Sequence, residues 1–180
     1  MRKPSTITPK EFRKAADSIL SKRDMRKRLE SQWSDKFGSY AEAWEGQMDG
    51  CGFYNRLGQK LQHKCRQQYA GVGAVYYKKR SPYTGSGCAA EFISLAFEHE
   101  SDPGRSANAM HRLLTITAPL KVLATYIDGR SEVEYLENYA AQIRAVDRAL
   151  PGFSEQQKHI AMFCLENKRD WLWKYHLFAD

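Results

Sequence analysis

The sequence predicts an α/β protein, a mixed β-sheet flanked by helices, with helices at its N-terminus and a β-hairpin at its C-terminus. Three observations carry this expectation. GAVYYKK (73–79) and EFISLAF (91–97) are rich in strand-forming residues, and the Pro- and Gly-bearing SPYTGSGCAA between them reads as a hairpin loop. The second run is followed by a short helical segment and then by PLKVLATYI, a strand–helix–strand order that demands a right-handed crossover and parallel pairing. Capping boxes at Thr8/Glu11, Ser39/Glu42 and Ser131/Glu134 mark helix starts on both sides of the strands.

The first helix begins at Thr8, with Pro9 in its first turn and Phe12, Ala15, Ala16, Ile19 and Leu20 at helical spacing; it is expected to run to about Trp33. A second helix opens at Ser39 with Tyr40, Trp44, Met48 and Cys51 along one side, and Gly50 and Gly52 break it before FYNRLGQKL adds a further turn or two. Glu42, Glu45 and Asp49 share another side, Glu45 lying nearest the apolar stripe. After the hairpin, Asp102-Pro103-Gly104 ends the strand and Ser106 can cap a helix through Leu114. PLKVLATYI is apolar on both faces, as a central strand covered on two sides would be. The last helix presents Val133, Leu136, Tyr139, Ala140, Ile143 and Val146, and KHIAMFCLEN and WLWKYHLF form the terminal hairpin around Asn167–Asp170.

The 180 residues fit one domain, 1–180, made of a basic helical segment (1–38), a core (39–127) and a helix plus hairpin (128–180). No window holds the roughly 18 apolar residues needed to span a bilayer, and the basic start MRKPSTITPKEF has no apolar run of a signal peptide, so no membrane association and a cytoplasmic location are expected. Cys51, Cys65, Cys88 and Cys164 form no Cys-x-x-Cys pair and suit a reducing compartment, and His63-x-Cys65 stands alone.

Charge is segregated along the chain. Residues 1–30 hold ten Lys/Arg against four acids, and 51–90 hold Arg56, Lys60, Lys64, Arg66, Lys78, Lys79 and Arg80 with no acid. The rest is acidic, because the total is +7. Clustered cations gain by releasing counterions from phosphates, which points to a nucleic-acid partner, DNA ahead of RNA. Lys78, Lys79 and Arg80 are the candidate phosphate contacts.

The run EFISLAFEHESD raises the chemical question, because strand residues lead directly into Glu98, His99 and Glu100. Ionisable groups beside buried apolar ones are costly without a partner or a task. Alternation puts Ser94, Ala96, Glu98 and Glu100 on one face and Ile93, Leu95, Phe97 and His99 on the core side. The glutamate Cα atoms then lie ~6.6 Å apart, close enough for both carboxylates to reach one divalent ion. Two other classes stay open: a nucleic-acid-binding module without catalysis, for which Trp171, Trp173 and Tyr175 offer a stacking platform or, more simply, a core or homodimer face, and a protein-interaction module. No Gly-x-Ser-x-Gly elbow and no Gly-x-x-x-x-Gly-Lys loop is present.

From Glu91 to Tyr126, the hairpin, Glu-x-Glu, helix and LKVLATY strand resemble the core of the PD-(D/E)XK nuclease superfamily, which includes many type II restriction endonucleases. The resemblance covers about residues 40–127 and implies a restriction-endonuclease-like fold and a metal-dependent nuclease using Mg²⁺ or Mn²⁺. Glu98 would match the family's second acid, a metal ligand, and Glu100 would stand at the usual lysine position. The first acid, normally an Asp ahead of the motif strand, has no counterpart between Asp49 and Glu91. Glu45 or Glu91 would have to supply it, and Lys121 the displaced positive charge. An inactive member of the same fold, binding nucleic acid or a protein, is the alternative the departures imply.

Overall fold

A computed structural model describes residues 6–34, 41–46, 49–78, 93–127, 132–149, 157–167 and 170–178. Its centre is a six-stranded mixed sheet whose strands lie side by side in chain order: β1 (Lys64–Tyr69), β2 (Val72–Tyr77), β3 (Ile93–Glu100), β4 (Leu120–Ile127), β5 (Lys158–Asn167) and β6 (Asp170–Phe178). The first three strands pair antiparallel, β3, β4 and β5 pair parallel, and β6 returns antiparallel to β5. The predicted hairpin between β2 and β3, the parallel strand after the helix and the terminal hairpin are all present. Strand β4 lies centrally and all eight of its residues are buried.

Strand β1 was not foreseen. Its sequence, KCRQQY, has almost no apolar signal, and its burial alternates between exposed and intermediate. It is an edge strand paired on one side only, so one row of its backbone groups and half of its side chains remain in water.

Helices cover both faces. On one side lie α1 (Pro9–Leu20), α2 (Arg23–Ser34), a single turn of π-helix (Ala41–Glu45) and α3 (Phe53–Leu61). The capping box of α1 forms as expected: the Glu11 amide donates to Thr8 Oγ1 at 3.2 Å, and the Thr8 amide donates to Glu11 Oε2 at 2.8 Å. The expected helix to Trp33 is instead broken at Ser21-Lys22, where the Lys22 amide turns back to the Ile19 carbonyl at 3.1 Å. A straight continuation would have pressed Arg23, Arg26 and Lys27 onto the sheet, whereas the break buries Met25 and Leu29.

The helix expected from Ser39 is also cut short. Residues 35–40 and 47–48, with the Ser39 cap, Tyr40 and Met48, lie outside those described. Trp44 is buried, but Cys51, expected beside it, is exposed. Gly46, at φ +64°, lies against the backbone of Gly52 so closely that neither position has room for a Cβ, and the chain turns sharply there.

On the other side lie α4 (Ser106–Leu114), entered through a short 3₁₀ turn, and α5 (Glu132–Ala149). Ser106 is the first residue of α4 and not its cap, which is Arg105. In α5 the buried stripe runs Tyr135, Tyr139, Ile143, and Val133, expected on it, is 67% exposed because two residues turn a helical side chain by about 200°.

The sheet thus separates two cores. Phe12, Trp44, Phe53, Tyr54, Leu95 and Phe97 anchor one, and Met110, Leu113, Leu123, Tyr139 and Phe163 the other. Trp173 and Tyr175 of β6 pack against the first core, while the side chain of Trp171 lies outside the described residues.

Candidate functional site

Glu98 and Glu100 stand at the carboxyl end of β3, where its pairing with β4 finishes at Glu100–Thr125. Parallel strands open into a crevice at this end, and sites gather there. The predicted alternation holds around them. Leu95 and Phe97 enter the first core while Ala96 enters the second, so Glu98 faces α4. Ile93 joins the second core because a register shift at Tyr76/Tyr77 resets the strand before it.

Glu98 is 5% exposed and both its oxygens are engaged. Oε1 accepts from Arg112 Nη2 at 2.6 Å, and Oε2 accepts a short bond from the Gly73 amide on β2. Burial pushes its carboxyl above the usual range, with the Arg112 and Gly73 hydrogen bonds pulling against that. Glu100 approaches the same guanidinium, Oε2 lying 3.9 Å from Arg112 Nη2, while its Oε1 accepts from the Asp102 amide at 3.1 Å. Thr125 Oγ1 donates to the Glu100 carbonyl at 2.8 Å and ties the end of β3 to β4.

Arg112 is the member of this cluster that sequence reading missed. It lies on α4, fourteen positions after Glu98, and is oriented inward by the crossover. A helical arginine three positions after Ala109 and two after Met110 carries no signal of its own; only the crossover geometry aims it at β3.

Gly73 is the close neighbour of Glu98 on β2. Its amide is the β2 group that meets Glu98, and a Cβ at this position would run into the Tyr54 hydroxyl. Tyr54 is 1% exposed, so no carboxylate side chain fits at that point of β2.

The other predicted residues make contacts of their own. Glu45 is 9% exposed, and its carboxylate accepts from Gln68 Nε2 on β1, with Gln67 donating to its backbone carbonyl at 2.8 Å. Lys121 is fully buried on the α4 side of β4, with Nζ donating to the Leu114 carbonyl at 3.3 Å. Desolvation drops its ammonium to about 8. His99, on the opposite face from Glu98 as expected, lies flat on Trp44 with ring centroids 3.8 Å apart, and burial drives its pKa far below that of a free histidine. Lys79, Arg80 and Glu91 lie outside the described residues.

Lys78 belongs to a second feature. It closes a cleft of about 460 Å³ between α1, the end of α3 and the end of β2, lined also by Lys14, Lys60, His63 and Glu11. The Glu11 carboxylate is held by Thr8, which lowers its pKa.

Comparison with known protein families, with curated proteins and with solved structures gave no match. Among the described residues no three His, Cys, Asp or Glu side chains stand together as a metal site, and no helix is long and apolar enough to cross a membrane.

Proposed function

We propose that the carboxylates at the end of β3 form a phosphodiester-hydrolysing site of a metal-dependent nuclease with a restriction-endonuclease-like core. One observation supports this reading above the others: a nearly buried glutamate, a second glutamate two residues on and an arginine converge at the open end of two parallel strands. Mg²⁺ and Mn²⁺ take hard oxygen donors, and Mg²⁺ is commonly held by one or two carboxylates with water and substrate phosphates completing its shell. Glu98 and Glu100 fit that requirement without a third protein ligand, and Glu45 is committed to Gln68. When bound, the ion supplies the Lewis acid that polarises the phosphodiester and acidifies water. Arg112 offers a planar fork of donors suited to a phosphate and is already drawn in by the two carboxylates. Gly73 orients Glu98 through its amide, and Thr125 fixes the strand end that carries Glu100.

Calorimetric titration of Mn²⁺ into wild type and Glu98→Gln tests the reading. Binding that disappears in the variant supports it, and cleavage of DNA and RNA by the loaded protein is then expected. Absence of Mn²⁺ binding by wild type, with and without DNA, sinks it. A second reading, a nucleic-acid-binding module of the same fold without catalysis, is favoured by two features: Arg112 pairs with Glu98, and no Asp or Glu lies between Asp49 and Glu91 to act as a first acid. That reading predicts no Mn²⁺ heat and undiminished DNA binding by Glu98→Gln.

A further inference from the structure

Edge strand β1 places exposed cations on the same sheet face as Glu98. Lys64 and Arg66 are exposed, while Cys65 between them and Gln67 after them turn inward. Arg66 pairs with Val75, and Val75 pairs with Ala96, so the three share one face, the face of Glu98 two residues further along β3. Arg66 therefore lies two strands and two residues from Glu98, roughly 12 Å at Cα, and Lys64 one pleat further back. Round the sheet edge, on the opposite face beneath α1 and α3, lies the lysine cleft. Lys60 ends α3, His63 immediately precedes β1, and Lys78 follows β2 where its last residue, Tyr77, pairs with Lys64. Lys14 adds a third ammonium from α1, and His63 Nδ1 donates to the Leu61 carbonyl at 2.6 Å, which fixes its ring at the cleft wall.

The cleft is not part of the carboxylate site. The Gly73 amide touches Glu98, whereas Lys78 is five residues along the same strand, about 17 Å away. Three lysines and one glutamate, itself held in a helix cap, are among the described lining of the cleft, and Lys64 and Arg66 stand across the edge of β1 from it.

We infer that the lysine cleft and edge strand β1 form a phosphate-binding rail, which holds a nucleic-acid strand from Lys14, Lys60 and Lys78 through Lys64 and Arg66 towards Glu98. The inference rests on the proposed function for its ligand class, but not on hydrolysis. The rail positions the strand by its backbone and carries no base readout.

Binding of a fluorescent 12-nucleotide single strand, followed by anisotropy over a series of salt concentrations in EDTA, tests it without any cleavage. For the variant Lys14→Gln/Lys60→Gln/Lys64→Gln/Arg66→Gln/Lys78→Gln, the slope of log K against log salt should become shallower by about 3.5, at ~0.7 for each phosphate no longer neutralised. Affinity at low salt should fall at least about ten-fold. Lys158→Gln, an exposed cation four strands away at the start of β5, should change neither. The melting temperature of the five-fold variant checks its fold, and Lys60→Gln/Lys78→Gln should show about two-fifths of the slope change. Wild-type slopes in the variants, no binding by wild type, or an equal loss per charge in Lys158→Gln would overturn the rail. Full displacement of the oligonucleotide by thymidine monophosphate at equal phosphate concentration would also overturn it, leaving a cleft for small phosphates. Oligonucleotide binding along the rail with no Mn²⁺ heat would retire the hydrolytic reading alone.

Discussion

Beneath α1, α3 and the π-turn, the sheet buries an aromatic layer in which even the ionisable residue is made neutral. His99 lies on Trp44, and Trp44 in turn meets Phe53, Tyr54 and Phe97 with centroids 5.0 to 6.0 Å apart. Beneath α4 and α5 the same sheet buries Glu98, Lys121 and His159, and the Tyr135 and Tyr139 hydroxyls have no hydrogen-bond partner among the described residues. Burying polar groups without full compensation is costly, and the second face carries more buried ionisable side chains from the sheet than the first. Adjacent residues make the contrast clearest: His99 turns into the aromatic side and becomes inert, while Glu98 turns to the other and meets an arginine.

The largest effect that would break this contrast is expected on the first face. Trp44→Ala should cost about 3–5 kcal/mol in urea unfolding, because it removes the centre of the aromatic layer. A cost below about 1 kcal/mol would mean that this face is no more cohesive than the other. Next comes Arg112→Ala, expected to cost about 2–3 kcal/mol at pH 7 by leaving Glu98 buried beside only the Gly73 amide; because Arg112 is 37% exposed, this lies below the range for a fully buried pair. The double variant Arg112→Ala/Glu98→Gln should recover more than half of that loss. Failure to recover would show that Arg112 matters through its packing and not through the ion pair.

How far these features could be read from sequence follows the same division. The cap of α1, the terminal hairpin and β4 were legible because they rest on local signals: Thr8 with Glu11, the Asn167–Asp170 turn, and an apolar run on both faces. The placement of Glu98 and His99 on opposite faces followed from strand alternation alone. Strand β1 was not legible, since an edge strand can be polar throughout and be recruited by its neighbour's backbone. The break at Ser21-Lys22 lay hidden in an unbroken helical propensity and shows only in where Met25 and Leu29 must go. Arg112 and the Gly73 amide, which decide the environment of Glu98, reach it across fourteen and twenty-five residues, and no spacing in the sequence encodes them.

The histidines allow the two faces to be compared by pH. Burial lowers both, His99 far below its usual value and His159 to about 4, so each is neutral when folded and binds a proton more readily when unfolded. Stability is then complete above the unfolded value of 6.5 and is lost as pH falls towards 4. His99→Phe and His159→Leu should each flatten part of this acid limb in urea midpoints measured from pH 7 to pH 4. An unchanged limb in both would assign it to carboxylates instead.

The smallest effect isolates the second face at alkaline pH. Lys121 is wholly buried, and desolvation brings its ammonium from 10.5 to about 8. The unfolded chain therefore binds the proton more tightly between these values, and the folded protein gains stability as pH rises from 8 to 10.5. At pH 7 the burial penalty is present in full, so Lys121→Met should stabilise the protein by about 1–2 kcal/mol, as replacement of a buried charge by an apolar side chain of similar length often does. That advantage should shrink between pH 8 and pH 10.5. If Lys121→Met is instead destabilising at pH 7, the Leu114 carbonyl and the surrounding groups compensate the ammonium fully, and the second face is better satisfied than its unpartnered hydroxyls indicate. If the variant is stabilised and yet loses phosphodiester cleavage, the lysine is retained for chemistry at the cost of stability.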